Sequence, residues 1–322
     1  MQFSSQFTHR YALIAILPLF ILLAIACASL ARSFAFGALA ALIWLGASAG
    51  ALSAQYSDPA FFNDDTRGLA RFIAQEAAKD DVVLIDVPFP FDYYYRGVAP
   101  AHYFFVDIHT AADELTRLTQ NKQRVFWITW EKSDTDPRGV VPFLLAKYAA
   151  YEGDAAFRGY SVAWYRLPRA TPFALAPAPR AASARFGDQI ALTAFAYGGT
   201  VTSSTPDVDA LRVKVGSKAW AALWWQVVQP VRADYKVSIQ LRDANGNLVA
   251  HDDRMLVNDR HLRSRLWTTS ETAINVYTPE LLEGVQPGGY TVYVIVYEPQ
   301  SGMRLRLEEG DAYALGTIFV TP

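Results

Sequence analysis

The stretch Phe89-Pro90-Phe91-Asp92-Tyr93-Tyr94-Tyr95-Arg96-Gly97, with Tyr103-Phe104-Phe105 soon after it, carries the least ordinary chemistry in the chain. Tyrosine and phenylalanine rings stack on a sugar face or a lipid headgroup, and Arg96 offers a guanidinium to a phosphate. Tyr93, Tyr94, Tyr95 and Arg96 are therefore the candidate ligand or membrane-interface contacts. A plainer reading competes: such a run also caps a sheet, or rests where aromatic rings gather at a membrane surface.

Other residue combinations carry less. Asp134-Thr135-Asp136 resembles the metal-binding D-x-D of nucleotide-sugar glycosyltransferases, yet turn formation explains two acids in a Ser/Asp/Pro loop equally well. His102, Asp107 and His109 are of metal-ligating types, but histidines near strand ends are more often hydrogen-bonded surface or core groups. Trp220, Trp224 and Trp225 suggest a carbohydrate platform; strand alternation sends Trp224 and Trp225 to opposite faces, which favours packing. Asp243-Ala244-Asn245-Gly246-Asn247 tempts a calcium loop, but its glycine is misplaced and the twelfth position is Arg254 rather than Glu. Gly46-Ala47-Ser48-Ala49-Gly50 matches a nucleophile-elbow pattern, yet it lies inside an apolar run, where small residues serve helix packing. A dinucleotide site needs G-x-G-x-x-G after the first strand, where Pro88-Phe89-Pro90-Phe91 stands instead. No catalytic residue, no cofactor site and no metal ligand is therefore expected.

These residues need elements to position them. Asn63-Asp64-Asp65-Thr66 precedes a helical stripe of Leu69, Phe72, Ile73 and Ala77. Val82-Val83-Leu84-Ile85-Asp86-Val87 reads as a strand buried on both faces. A short strand at Tyr103–Val106, a helix from Thr110, a strand at Arg124–Trp130, a helix from Gly139 to Tyr151 and a strand at Tyr160–Leu167 follow. Residues 55–167 thus predict a small α/β layered domain. The aromatic run lies just past the carboxyl end of its first strand, where open α/β sheets place ligand crevices. Residues 168–185 form a Pro/Ala-rich linker. Residues 186–322 hold about eight strands with turn signals, including the hairpin dipeptide Asn245-Gly246, and predict an antiparallel β-sandwich of immunoglobulin-like type.

The chain has 322 residues, with 29 Lys+Arg against 31 Asp+Glu and a single Cys. Near-zero net charge argues against a nucleic-acid partner, and one cysteine excludes a disulfide framework or a multi-cysteine metal site. Charge is unevenly spread: residues 1–57 contain only Arg10 and Arg32 and no acid. Residues 11–31 and 33–54 are uncharged and each reaches the ~20 residues of helix that cross a bilayer core. A membrane α-helical hairpin over residues 1–54 is expected, weighed against a cleavable signal peptide for the first stretch. Arg32 in the turn favours a cytoplasmic turn, which places the later domains on the extracytoplasmic side of the plasma membrane.

His9-Arg10-Tyr11 before a Pro18-containing apolar helix, then Tyr56-Ser57-Asp58-Pro59 and the run from Asp64-Asp65-Thr66-Arg67 to Arg71-Phe72-Ile73, resemble the last membrane helices and extracytoplasmic tail of GT-C membrane glycosyltransferases. The nearest group is that of bacterial proteins similar to protein mannosyltransferases and aminoarabinose transferases; Asp81–Leu84 and Tyr93–Tyr95 match the strand and Tyr-rich stretch of that tail. The resemblance implies the C-terminal extracytoplasmic portion or an accessory subunit of a polyprenyl-phosphate-sugar-dependent membrane glycosyltransferase. The implied partners are the membrane, a multispan glycosyltransferase subunit, and a glycan or lipid-linked sugar. That family's catalytic acid lies in an early loop of a many-span region, for which the residues before Tyr11 leave no room, so no catalytic residue carries over. The alternative is a membrane-anchored envelope adhesion, scaffold or glycan-binding protein.

Overall fold

The computed structural model, which describes residues 21, 22, 25, 34–57, 64–168, 172–176, 178–199 and 211–322, is richer in strand than in helix. The expected membrane hairpin is not borne out: no helix among the described residues is long and apolar enough to cross a membrane. Residues 11–31 lie largely outside the described residues, and 33–54 falls on helix α1, Phe34–Ser57. Absence of charge carried that expectation; much of α1 is Ala, Gly and Ser, whose small side chains bury little apolar surface. Gly46 and Gly50 lie within α1, with helix on both sides of them.

Residues 64–322 form a second compact unit. Its first part is a five-stranded mixed sheet in the order β2-β1-β3-β5-β4. The strands are β1 (Val82–Ile85), β2 (Ala101–Tyr103), β3 (Arg124–Trp130), β4 (Ala150–Phe157) and β5 (Tyr160–Arg166). β1 runs parallel to β2 and β3, whereas β5 is antiparallel to β3 and β4. Helices α2 (Thr66–Glu76), α3 (Phe91–Tyr94), α4 (Ala111–Thr119) and α5 (Val140–Tyr148) accompany it. On one face Leu69 and Ile73 of α2 and Phe91 of α3 pack with Val83, Ile85, Phe126 and Ile128. On the other, Leu115 of α4 and Phe143 and Leu144 of α5 pack with Val82, Leu84, Val125 and Trp127. Cover on both sides is why β1 is an unbroken apolar run. β4 has no such run and went unnoticed in the sequence. It is an edge strand, and most of it is exposed or only half-buried.

The second part holds two sheets of β-sandwich type, β11-β10-β13-β14-β8 and β12-β9-β7-β6. Their strands are β6 (Arg180–Phe186), β7 (Ile190–Gly199), β8 (Arg212–Lys214), β9 (Ala219–Val227), β10 (Lys236–Arg242), β11 (Leu248–Met255), β12 (Thr272–Tyr277), β13 (Gly288–Tyr297) and β14 (Tyr313–Thr321). Between them Phe186, Leu192, Leu223, Trp225, Ile239, Val294 and Ile318 form one core. β6 falls inside the segment expected to be linker. Ala184 and Phe186 turn inward while its other residues stay exposed or half-buried, so an alanine-rich edge strand reads as a spacer.

The two parts share more than a linker. Trp220 and Ala222 of β9 and Val276 of β12 belong to the same apolar cluster as Phe143 and Leu144 of α5. Buried Arg138 donates to Asp259 Oδ1 at 2.5 Å and to the Ile274 carbonyl at 3.2 Å, and Arg254 donates to the Arg138 carbonyl at 2.5 Å.

Candidate functional site

Helix α2 begins where Asp65 accepts the Gly68 backbone N–H at 2.9 Å, an N-cap of the ordinary kind. Burial of Leu69, Ala70 and Ile73 fixes its rotation. Arg67 and Arg71, four residues apart, then stand together on the exposed face. Across from them the chain leaves β1 at Pro88 and makes the single turn α3, pinned by Phe91, which is fully buried.

The four residues singled out in the sequence divide there. Tyr95 is held in place: its ring stacks on Phe91 at 5.0 Å and its hydroxyl donates to the Ala99 carbonyl at 3.0 Å. Partial burial pushes the Tyr95 phenol above its ordinary pKa, only partly offset by that bond. A Cβ at Gly97 would collide with the Tyr95 ring, which ties the glycine to this packing. Tyr93 is exposed and meets Tyr94 edge-on at 4.9 Å. Tyr94 lies under Arg67, whose guanidinium carbon is 5.0 Å from the ring centroid. Arg96 is exposed and donates to the Tyr95 carbonyl at 2.7 Å.

Arg67, Ala70, Arg71, Ala74, Tyr94 and Arg96 line an open pocket of about 340 Å³. No carboxylate is among its lining residues, and none of the three arginines forms an ion pair among the described residues. The segments at the carboxyl ends of the parallel strands β1 and β2 carry Phe89, Tyr93, Tyr103 and Phe105, which are 72%, 66%, 48% and 63% exposed. Arg67 and Arg71 were missed as site residues. The available signal was an i, i+4 pair of arginines opposite the Leu69/Ile73 stripe, but only the fold brings that pair to Arg96.

A larger open pocket, about 500 Å³, lies between the end of α4 and Leu167, Pro168, Pro172 and Phe173. Its charges are mixed: Asp113 lines it with Arg117 and Lys122, and Arg117 pairs with Glu114 at 3.3 Å.

The other candidates are used structurally. Asp136 caps α5, accepting the Val140 and Val141 N–H groups at 2.8 and 3.0 Å, and burial raises its pKa. His109 Nε2 pairs with Asp259 at 2.7 Å, while Asp107 accepts the His109 backbone N–H at 2.8 Å and His102 sits in β2. Among the described residues no group of three His, Cys, Asp or Glu side chains is placed to hold a metal ion. Asp243 closes its hairpin by accepting from Asn245 N and Asn247 N at 2.9 and 2.8 Å, with Gly246 at φ 83°. Trp220 and Trp225 are buried and Trp224 is half-buried, so they form no exposed platform. At the end of β1 the buried Asp86 accepts the Trp130 N–H at 3.1 Å, and its pKa is raised by burial.

No family model and no curated protein matches the sequence. Among solved structures, the C-terminal domain of wzt is 7% identical, with a TM-score of 0.27 over 46% of this chain and 80% of that one. A Niemann-Pick type C2 protein from Japanese carpenter ant is 4% identical, with a TM-score of 0.27 over 45% of this chain and 99% of that one. A β-glucosidase from Listeria innocua in complex with gluconolactone is 14% identical, with a TM-score of 0.22 over 40% and 16%. At these scores the likenesses carry no argument about fold or function.

Proposed function

We propose that this chain is a recognition protein, non-catalytic by itself, that holds a glycan at the carboxyl edge of its parallel strands. The carrying observation is that Phe89, Tyr93, Tyr103 and Phe105, all exposed, belong to the segments at the carboxyl ends of the parallel strands β1 and β2. Exposed aromatic faces cost water contact and return it when an amphipathic ring, such as a pyranose, stacks on them. The test is a glycan panel bound by the full chain, repeated with Tyr93→Ala and Phe105→Ala. Binding that both substitutions weaken at least tenfold supports the reading; binding that neither changes, or no binding, removes it.

A second reading makes the chain an accessory subunit of a polyprenyl-phosphate-sugar-dependent membrane glycosyltransferase, acting outside the plasma membrane. It is favoured by one observation: two segments behind the GT-C resemblance, the run from Asp64 to Ile73 and the stretch Tyr93–Tyr95, reach one pocket through Arg67, Ala70 and Arg71 and through Tyr94. Co-purification with a multispan transferase, lost in Arg67→Ala/Arg71→Ala, would support it. Transferase activity unaffected by deleting this chain would sink it.

A further inference from the structure

We infer that Arg67, Arg71 and Arg96 form an anion site that takes the phosphate of a phosphorylated saccharide, an assignment that rests on the glycan-recognition reading. Three guanidinium groups from two elements line one pocket, with no carboxylate to neutralise them. Like charges brought together repel, and protein surfaces ordinarily intersperse both signs. Elsewhere in this unit several arginines meet an acid: Arg124 pairs with Asp81, Arg166 with Glu152, Arg254 with Asp252 and Arg260 with Glu271. This pocket instead gathers three guanidinium groups with no carboxylate among its lining residues.

Guanidinium is the side chain suited to such a ligand, because its planar fork matches two phosphate oxygens at once and stays charged at any physiological pH. Each of the three is directed differently. Arg67 lies 5.0 Å from the Tyr94 ring centroid and hydrogen-bonds the Tyr94 side chain, which orients it and leaves its other N–H donors for a ligand. Arg96 uses Nη1 on the Tyr95 and Asp92 carbonyls, at 2.7 and 3.5 Å, and keeps its Nε and Nη2 donors. Arg71 sits one turn along α2 from Arg67, beside Ala70 and Ala74, whose small side chains leave the pocket open. Tyr94 and its edge-on neighbour Tyr93 then form an aromatic wall beside the anion, suited to a sugar carried by the phosphate.

The test is isothermal titration of the full chain with glucose, glucose 1-phosphate and inorganic phosphate, and flotation with phosphatidylcholine vesicles with and without phosphatidic acid. Glucose 1-phosphate should bind at least tenfold more tightly than glucose, and more weakly as salt rises. Arg71→Gln and Arg96→Gln should each weaken it about tenfold, the scale of one charge-assisted hydrogen bond, with unchanged thermal unfolding because both residues are exposed. Binding to phosphatidic acid vesicles through the same arginines, without binding to glucose 1-phosphate, would support the phosphate site while assigning it to a lipid and defeating the glycan reading. Equal affinity for glucose and glucose 1-phosphate, indifference to both substitutions, or no binding of any phosphate probe would overturn the proposal. In the first of those cases the glycan reading survives if Tyr93→Ala still abolishes binding.

Discussion

The mixed sheet and the two-sheet part of residues 64–322 treat their polar groups in opposite ways. In the mixed sheet, β1 and β2 run parallel, so the chain leaves both strands at the same end. Exposed rings and unpaired arginines collect there. The two-sheet part is mostly antiparallel, its turns fall at both ends, and charge is settled locally: Arg254 on Asp252, Arg260 on Glu271, Arg304 on Asp311. Most of its aromatic side chains face inward, as Trp225 and Tyr277 do, while Phe319 is exposed. Strand direction therefore decides at which end the connecting segments collect.

That contrast breaks most directly at Trp225, a fully buried ring that meets Phe186 at 5.7 Å between the two sheets. Trp225→Ala should cost ~3–5 kcal/mol, the usual range for emptying a large aromatic site, as read by urea denaturation. A cost near zero would mean that the two sheets do not share a specific core.

Next in size is the junction. Arg138→Ala removes the buried guanidinium between Asp259 and the Ile274 carbonyl. Asp259 keeps His109 and some solvent, so the loss should be about 2 kcal/mol, below the range for a fully buried pair. Tryptophan fluorescence and far-ultraviolet circular dichroism should then report separate transitions, as the parts uncouple. Coincident curves with wild-type midpoints would show that the apolar contact alone joins them.

Lys147 on α5 tests the same junction through pH. Its ammonium donates to the Ala174 and Leu175 carbonyls at 3.1 and 2.8 Å and lies 4.1 Å from the Trp220 ring centroid. Burial lowers its pKa to about 7, while an unfolded lysine titrates near ~10.4. Between those values the unfolded chain binds the extra proton, so the contribution of Lys147 to stability rises with pH. The carbonyls and the ring favour the ammonium and oppose the shift, which limits the gain to ~1–2 kcal/mol between pH 7 and 9.5. Lys147→Met should flatten that rise; an unchanged slope would place the titration elsewhere.

Legibility followed burial. The strand Arg124–Trp130 was readable because both faces are covered, leaving a continuous apolar run. β4 and β6 were not, because an edge strand buries one face at most and theirs carry Glu152, Asp154 and several alanines. Lack of charge in residues 33–54 was read as lipid affinity, although Ala, Gly and Ser also lack charge. Tyr93 to Arg96 stood out as a local run, whereas Arg67 and Arg71 join them only through the docking of α3 against α2, a tertiary fact that no spacing encodes.

The smallest expected difference is also the most diagnostic, since it falls within one tyrosine run. Tyr95 is packed and bonded, and Tyr95→Phe deletes only the hydroxyl that donates to the Ala99 carbonyl. One intramolecular hydrogen bond contributes about 1 kcal/mol net, so urea unfolding should shift by that amount, with glycan binding retained. Tyr93 is exposed and touches little beyond the edge of Tyr94. Tyr93→Ala should therefore stay within about 0.5 kcal/mol of wild type in stability, while lowering ligand affinity. If instead Tyr93→Ala destabilises the fold as much as Tyr95→Phe does, the whole run is a cap on the sheet, and the parallel-strand edge loses its claim to be the binding end of the molecule.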